Sequence, residues 1–225
     1  MKNKFLKAAF AGLVLGVSSY ANASIIEDFE TGTWGSDWSQ ATGSISGSAA
    51  HDGNYGVSDP GWNIWSGFTV SAGDSISAWF TGGGSGRFYL GFDALPTGAD
   101  SFVADIYGKH ILFQTNAGYR YGDVAETSQV WNDQWYRFQL DVLSTFTVKG
   151  SLFDSDGSTL LNTLSHTFSD EISGGVAIRA FRGVEIDTIC INGCEAESVP
   201  EPSILSLMGL GIVGIGLVRR RRAQS

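Results

Sequence analysis

The segment that decides the fold is Trp135–Val142, which reads WYRFQLDV. Successive side chains of a β-strand point to opposite faces of a sheet, so this alternation predicts a strand with one buried face. The face predicted to be buried carries Tyr136, Phe138, Leu140 and Val142. The face predicted to point outward carries Trp135, Arg137, Gln139 and Asp141.

Short segments of the same kind recur between Ser24 and Cys194, separated by Gly, Asp, Asn and Ser. They predict strands at Ile25–Glu30, Ser66–Val70, Ser75–Thr81, Arg87–Ala94, Phe102–Tyr107, Ile111–Thr115, Leu160–Thr167, Val176–Phe181 and Glu185–Ile191. No helical stretch of convincing length interrupts them. About a dozen short strands indicate one all-β domain over residues 24–194, an antiparallel β-sandwich of the jelly-roll kind.

Four stretches add a resemblance to this pattern: Ala49–Gly56, Trp135–Leu140, Gly150–Gly157 and Gly175–Asp187. Their order resembles the concanavalin A-like and laminin-G-like jelly rolls. That resemblance implies a fold that hosts lectins, carbohydrate-binding modules and glycanases. The fold therefore leaves the choice among these functions open.

Residues 1–23 predict a secretory signal peptide. Three lysines precede an apolar run from Ala8 to Val17, and Ala21-Asn22-Ala23 supplies the small-x-small pattern of a cleavage site. We therefore expect the mature chain to begin at Ser24.

The other end of the chain contains three elements in a fixed order. A linker, residues 195–203, holds Pro200, Glu201 and Pro202, and an apolar span follows over residues 204–218. As a helix this span would measure about 22 Å, short of the roughly 30 Å hydrocarbon core, and snorkelling arginines would cover part of the deficit. The tail, residues 219–225, opens with the basic cluster Arg219, Arg220, Arg221 and Arg222. Such a cluster retains the end of a span in the cytoplasm.

This ending resembles the PEP-CTERM sorting signal of Gram-negative bacteria. The resemblance implies that the precursor is tethered in the inner membrane and that an exosortase cuts near Pro200-Glu201-Pro202. It also implies an association with exopolysaccharide, biofilm and cell-surface or extracellular material. A permanent single transmembrane anchor is the alternative, and either arrangement places residues 24–194 outside the inner membrane.

The charge of the chain excludes one class of partner. The formal net charge is −9; leaving out the three lysines of the signal peptide and Glu201 with the four arginines of the tail, seven basic and 22 acidic residues remain in the body. Nucleic acids require a basic surface, so we expect no nucleic-acid binding. An acidic body also disfavours other anionic partners.

Catalytic motifs are largely missing. His51, His110 and His166 are isolated in the sequence, without the spacing of a zinc or catalytic motif. Glu185-Ile186-Asp187 resembles the start of the E-x-D-x-x-E motif of laminarinase-type glycoside hydrolases, but Cys190 stands at the last carboxylate position. Because such hydrolysis requires two carboxylates, the sequence predicts a non-catalytic domain.

Carboxylates on the first and last predicted strands suggest a calcium site. Many carbohydrate-binding jelly rolls tie these strands together with Ca²⁺, which requires hard oxygen ligands. The candidate ligands are Glu27, Asp28, Glu30 and Asp187. The alternative is that they are ordinary surface acids.

Cys190 and Cys194 are the only cysteines of the chain. Disulfides form and persist in exported proteins, so we expect these two residues to be bonded to each other.

Aromatic side chains beside polar ones give the candidate ligand site. Indoles stack on the apolar faces of sugar rings, while carboxylate, amide and guanidinium groups bind the hydroxyls. The candidate glycan-binding residues are Tyr89, Asp93, Trp135, Arg137, Gln139, Asp141, Trp62 and Trp65. We expect Tyr89 and Asp93 to lie near the outward face of Trp135–Val142. The alternative is that most of the tryptophans complete the edges of the core.

Three hypotheses follow for the function. The first is an exported, non-catalytic domain that binds polysaccharide, and the second is a structural or self-associating component of the matrix or surface. The third is a divergent glycoside hydrolase.

Overall fold

The computed structural model describes residues 24–95, 98–115 and 123–194. The predicted signal peptide with Ala21 and Ala23 lies outside the described residues. So do the linker, the apolar span and the basic tail, which together hold all the sorting residues. Within the described part the chain folds into two antiparallel β-sheets with one short 3-10 turn at Gly47–Ala49.

The first sheet has eight strands. Its neighbouring strands, in spatial order, are β13 (Leu160–Thr167), β12 (Thr147–Phe153), β11 (Trp135–Val142), β6 (Ser75–Thr81), β15 (Glu185–Ile191), β4 (Gly56–Ser58) and β3 (Ser44–Ser46). The first strand, β1 (Ser24–Glu27), pairs with β15, so that Ser24 lies opposite Ile191. The last strand of the domain is therefore hydrogen-bonded on both sides.

The second sheet has seven strands and packs against the first. Its strands, in spatial order, are β10 (Asp123–Ser128), β9 (His110–Gln114), β8 (Gly98–Asp105), β7 (Arg87–Leu95), β14 (Val176–Phe181), β5 (Asn63–Trp65) and β2 (Trp38–Ser39). All of its pairings are antiparallel, so the prediction of an antiparallel all-β sandwich is confirmed.

Aromatic rings join the two sheets across the core. On β11 the predicted inner residues are buried and the outer ones are half-buried, as the alternation requires. Phe138 stacks on Phe102 of the opposite sheet, with ring centroids 3.9 Å apart. Phe102 also packs against the backbone of β12 at Gly150, where a Cβ atom would collide with its ring. Burial of one such side chain stabilises the fold by about 2 kcal/mol.

Three predicted strands differ from the structure by more than one residue at an end, or are not formed. Residues 66–70 form a loop, in which Val70 is buried and its N–H donates to the carbonyl of Gly174. An apolar run shows burial, but it does not distinguish a strand from a buried loop. Strand β1 stops at Glu27 because that carboxylate accepts the N–H groups of Phe29 and Gly35 and turns the chain. Strand β8 stops at Asp105, whose carboxylate accepts the N–H of Gly108.

A disulfide joins Cys190 to Cys194 at the end of the described chain. The two Cα atoms are 5.1 Å apart, and the Sγ atom of Cys194 lies 3.2 Å from the hydroxyl of Ser77 on β6. The bridge thus fastens the end of the domain to the sheet next to β15.

Candidate functional site

The sandwich presents two outward faces, which differ in chemistry. The eight-strand face is the outer surface of the first sheet and carries Trp79, Trp135, Arg137, Gln139 and Asp141, all half-buried. The seven-strand face is the outer surface of the second sheet and carries Tyr89, Val103, Leu112 and Ala177, all buried.

Strand register places the side chains of the eight-strand face in rows. In one row Asp187, Trp79, Arg137 and Phe153 are neighbours on four adjacent strands. The next row is small and polar, with Gln139 between Ser77 and Ser151. Along β11 the outward residues from Trp135 to Asp141 cover about 20 Å. The face therefore offers a long polar track with an indole at one end.

A loop covers part of this face. The ring of His51 stacks on Trp79 at a centroid distance of 3.8 Å and meets Trp135 edge-on at 5.2 Å. Asp187 holds the loop, because its carboxylate accepts the N–H groups of His51 at 2.7 Å and Asp52 at 3.0 Å. Burial raises the pKa of Asp187 above its ordinary value, although these hydrogen bonds act in the opposite direction.

Two further contacts fix the row that contains Trp79. The guanidinium of Arg137 lies over the ring of Phe153, 4.4 Å from its centroid. The loop between β12 and β13 passes the ring of Trp79 so closely at Gly157 that a Cβ atom there would lie 3.0 Å from it. His51 and this loop thus cover Trp79, while Trp135 meets the ring of His51 edge-on.

The seven-strand face is an apolar cluster centred on one arginine. The guanidinium of Arg179 lies 5.7 Å from the ring centroid of Trp62, 5.6 Å from that of Tyr89 and 5.1 Å from that of Phe181. Trp62 is 9% exposed and Tyr89 is 4% exposed. The rings of Trp62 and Tyr89 are packed against their neighbours and leave little surface for a ligand.

The expected proximity of Tyr89 and Asp93 to Trp135 is wrong. Tyr89 and Asp93 belong to β7 of one sheet and Trp135 to β11 of the other, so they lie on opposite outer surfaces of the sandwich. Alternation along a strand separates inward from outward residues, but it does not say which of two outward faces a residue joins. Trp65 packs against the main core, as the alternative interpretation of the tryptophans expects.

The four candidate calcium ligands do not form one site. Glu27 closes the turn after β1, and Asp28 accepts the N–H of Glu30. Glu30 accepts the N–H groups of Asn54 and Tyr55, while Asp187 holds the His51 loop. No group of three or more His, Cys, Asp or Glu residues suited to a metal occurs in the described ranges.

Sequence reasoning missed a cleft of about 240 Å³ at the strand ends beside the seven-strand face. Its lining residues are Ser85, Arg87, Asp105, Tyr107, Phe181 and Arg182. They come from three separate segments of the chain, so no motif spacing marks them. The one local signal was the Asp105–Gly108 turn, which ends β8 earlier than its apolar run suggests.

The comparisons with known proteins bear on the tail and on the fold. Residues 198–222 match the family described as the PEP-CTERM protein-sorting motif. Such a motif implies an exported, membrane-anchored precursor that is processed by an exosortase. No curated protein matches the chain. In the part of the chain that the structure describes, no helix is long and apolar enough to cross a membrane.

Solved structures similar to this chain at low sequence identity include a galectin, a carbohydrate recognition domain and the lumenal domain of VIP36. Galectin LEC-6 from Caenorhabditis elegans is 13% identical, with a TM-score of 0.44 over 61% of this chain and 96% of the galectin. The Emp47p carbohydrate recognition domain is 13% identical, with a TM-score of 0.48 over 77% and 98%. The Ca²⁺- and mannose-bound lumenal domain of VIP36 is 11% identical, with a TM-score of 0.49 over 80% and 93%.

Proposed function

We propose that this exported chain is a non-catalytic surface or matrix protein of a Gram-negative bacterium that binds exopolysaccharide through its eight-strand face. The single observation that carries this proposal is the half-buried track of Trp135, Arg137, Gln139 and Asp141 along β11. It combines an aromatic ring with guanidinium, amide and carboxylate groups, which is the combination that sugar rings and hydroxyls require.

The length of the track favours a polymer. About 20 Å of strand can contact several sugar units in a row, and each contact contributes little alone. Gln139 and Asp141 are joined by a 2.6 Å hydrogen bond between the Nε2 and Oδ1 atoms, so their polar groups are held in place before a ligand arrives. Such preorganisation reduces the entropy cost of binding.

The state of the carboxylates supports a binding role without catalysis. Asp187 is fully buried and engaged by backbone N–H groups, and the last position of the hydrolase-like motif, Cys190, is part of a disulfide. Neither residue is available as an acid or nucleophile. If the full chain released reducing sugar from laminarin and Glu185→Gln abolished the release, the non-catalytic assignment would be wrong.

Affinity electrophoresis of the full chain through gels containing laminarin, dextran or alginate tests the binding proposal. We expect retardation by at least one polymer, and we expect Trp135→Ala and Arg137→Ala each to weaken it about tenfold. Phe146→Ala removes an aromatic residue that is 40% exposed outside the track and serves as the matched control. Retardation that is absent, or that both track variants retain, would contradict the proposal.

The same gels run with calcium and with EDTA test the metal hypothesis. The four candidate carboxylates each hold backbone N–H groups in separate places, so we expect EDTA to leave the retardation unchanged. Loss of retardation in EDTA, restored by added calcium, would show that a metal site exists after all.

A second candidate function, self-association, rests on the edge strand β13. This strand ends the eight-strand sheet and contains no charged residue and no proline, the usual protections of an exposed edge. Leu160 and Leu161 are 51% and 41% exposed. A second copy could pair its own β13 antiparallel to this one about a two-fold axis.

Light scattering across a concentration series tests self-association. If β13 pairs with a second copy, Thr163→Lys on this strand shifts the equilibrium to the monomer, while Leu143→Lys at an exposed turn does not. This second candidate is rejected if the measured mass stays that of a monomer at all concentrations, or if Thr163→Lys leaves the measured mass unchanged.

A further inference from the structure

We infer that the cleft at the ends of β7, β8 and β14 is a second binding site, which takes one neutral pyranose ring. Strand register brings three residues of this site together. Arg87 on β7 pairs with Asp105 on β8 and with Phe181 on β14, so a guanidinium, a carboxylate and an aromatic ring are neighbours in one row. Tyr107, Ser85 and Arg182 complete the lining from the adjacent turns.

The carboxylate of Asp105 is held rigidly toward the cleft. Its Oδ2 atom accepts a hydrogen bond from the Nη2 atom of Arg87 at 2.5 Å, and its Oδ1 atom accepts the N–H of Gly108 at 2.8 Å. A Cβ atom at residue 108 would lie within 2.5 to 3.1 Å of this carboxyl group, so the turn requires glycine. Each carboxylate oxygen accepts more than one hydrogen bond, which leaves capacity for sugar hydroxyls.

Aromatic surface forms the other part of the cleft. Phe181 is half-buried, with the guanidinium of Arg179 at 5.1 Å from its centroid and that of Arg182 at 6.0 Å. Tyr107 is 78% exposed at the rim, which is unusual for a large aromatic side chain. An exposed ring beside fixed polar groups suits a ligand with both an apolar face and hydroxyls.

Size and charge restrict the ligand. The volume of about 240 Å³ lies below the roughly 300–1,000 Å³ of pockets for drug-sized ligands, so the cleft fits one ring and not a chain. Arg87 and Asp105 neutralise each other, so Arg182 is the one charged lining residue without an ion pair in the described part of the chain. The acidic body of the chain, with 22 acidic against seven basic residues, repels anions. A neutral sugar unit satisfies both the limit on size and the limit on charge.

This site is separate from the track on the eight-strand face, because its residues belong to the other sheet. The two faces would then bind differently, with the track holding several units of a polymer and the cleft holding one terminal or branching unit. The two proposals can accordingly fail independently.

Titration calorimetry on the full chain tests the cleft with methyl α-D-glucopyranoside, methyl α-D-mannopyranoside and methyl β-D-galactopyranoside, and with sodium D-glucuronate as the anionic comparison. We expect at least one neutral pyranoside to bind. Tyr107→Ala and Arg182→Ala are each expected to weaken its affinity about three- to tenfold, the size of one aromatic or cation contact. Both residues are exposed, so their variants keep the fold.

Tyr55→Ala, which removes a tyrosine that is 40% exposed elsewhere, is the control and should leave pyranoside affinity unchanged. The inference is overturned if no neutral pyranoside binds, if binding survives in both cleft variants, or if glucuronate binds more tightly than every neutral sugar. Polymer retardation that still depends on Trp135 in any of those cases rejects the cleft alone and leaves the track in place.

Discussion

The two outer faces of the sandwich place the same residue types in different surroundings. On the eight-strand face Arg137 is half-buried in a track with Gln139 and Asp141, and its guanidinium lies over one ring. On the seven-strand face Arg179 lies beside three rings, two of which are almost fully buried. We propose a binding role for Arg137, whereas Arg179 packs against two rings that are almost fully buried. Both arginines are half-buried, so the burial of the neighbouring rings distinguishes the two positions.

The largest expected effect comes from breaking the loop that shapes the eight-strand face. Asp187→Ala removes the acceptor of the His51 and Asp52 N–H groups and the anchor of their loop, so we expect the free energy of unfolding to fall by about 3 kcal/mol. Denaturant unfolding followed by tryptophan fluorescence measures the loss. Asp141→Ala, a half-buried acid of the same face, is the control, and an equal loss there would contradict the special role of Asp187.

A pair of arginine variants separates packing from binding. Arg179→Ala loses contacts with three rings, and we expect it to lower the free energy of unfolding by about 1–2 kcal/mol without changing retardation by polysaccharide. Arg137→Ala should show the opposite pattern. If both variants lost stability alike and binding alike, the distinction between the faces would be wrong.

A smaller effect concerns how the stability of the fold depends on pH through Glu185, the first residue of β15. Burial raises the pKa of Glu185, and the nearby carboxylates of Asp59 and Asp133 raise it further. A carboxyl group whose pKa is raised by folding favours the fold below its ordinary value of 4.5, and this contribution is lost as the pH rises through the folded pKa. Glu185→Gln should therefore raise the melting temperature at pH 7 by a few degrees. Below pH 4 the variant and the parent should melt together.

The smallest effect lies in the turn that passes Trp79. Asp156 accepts hydrogen bonds from the side chain and N–H of Thr159 and from the N–H of Ser158, which lower its pKa to about 2. The support that this carboxylate gives to the turn is present above its ordinary value of 3.8 and is lost as the pH falls through about 2. A carboxyl-carbon NMR titration should find this midpoint. A midpoint near 3.8 would show that these hydrogen bonds do not form in solution.

The sequence predicted the class of fold because alternation is a local property. Strands β6, β11, β13, β14 and β15 begin and end where the pattern indicates, and the sides of β11 are assigned correctly. The strand ends at Glu27 and Asp105 are set by side-chain hydrogen bonds to the following turn. An apolar pattern does not predict such ends, because a single hydrogen bond decides them.

The candidate site was predictable only in part. The residues of the track alternate with buried residues along one strand, so their common face could be predicted directly. The His51 loop and the cleft depend on contacts between residues far apart in sequence, such as His51 with Asp187 or Arg87 with Asp105. Register between strands, which the alternation of one strand does not specify, creates the row of the cleft, and a side-chain carboxylate holds the His51 loop.

The pairing of β15 has a mechanical consequence. The chain leaves the domain from this strand toward its sorting segment. A force applied along that segment would therefore act on a strand that pairs with β6 on one side and with β1 and β4 on the other. An edge strand can be peeled away one hydrogen bond at a time, whereas this strand must break both ladders to move. The disulfide between Cys190 and Cys194 lies at the end of β15, where such a force would act. The domain is thus joined to its sorting segment at a strand that is hydrogen-bonded on both sides.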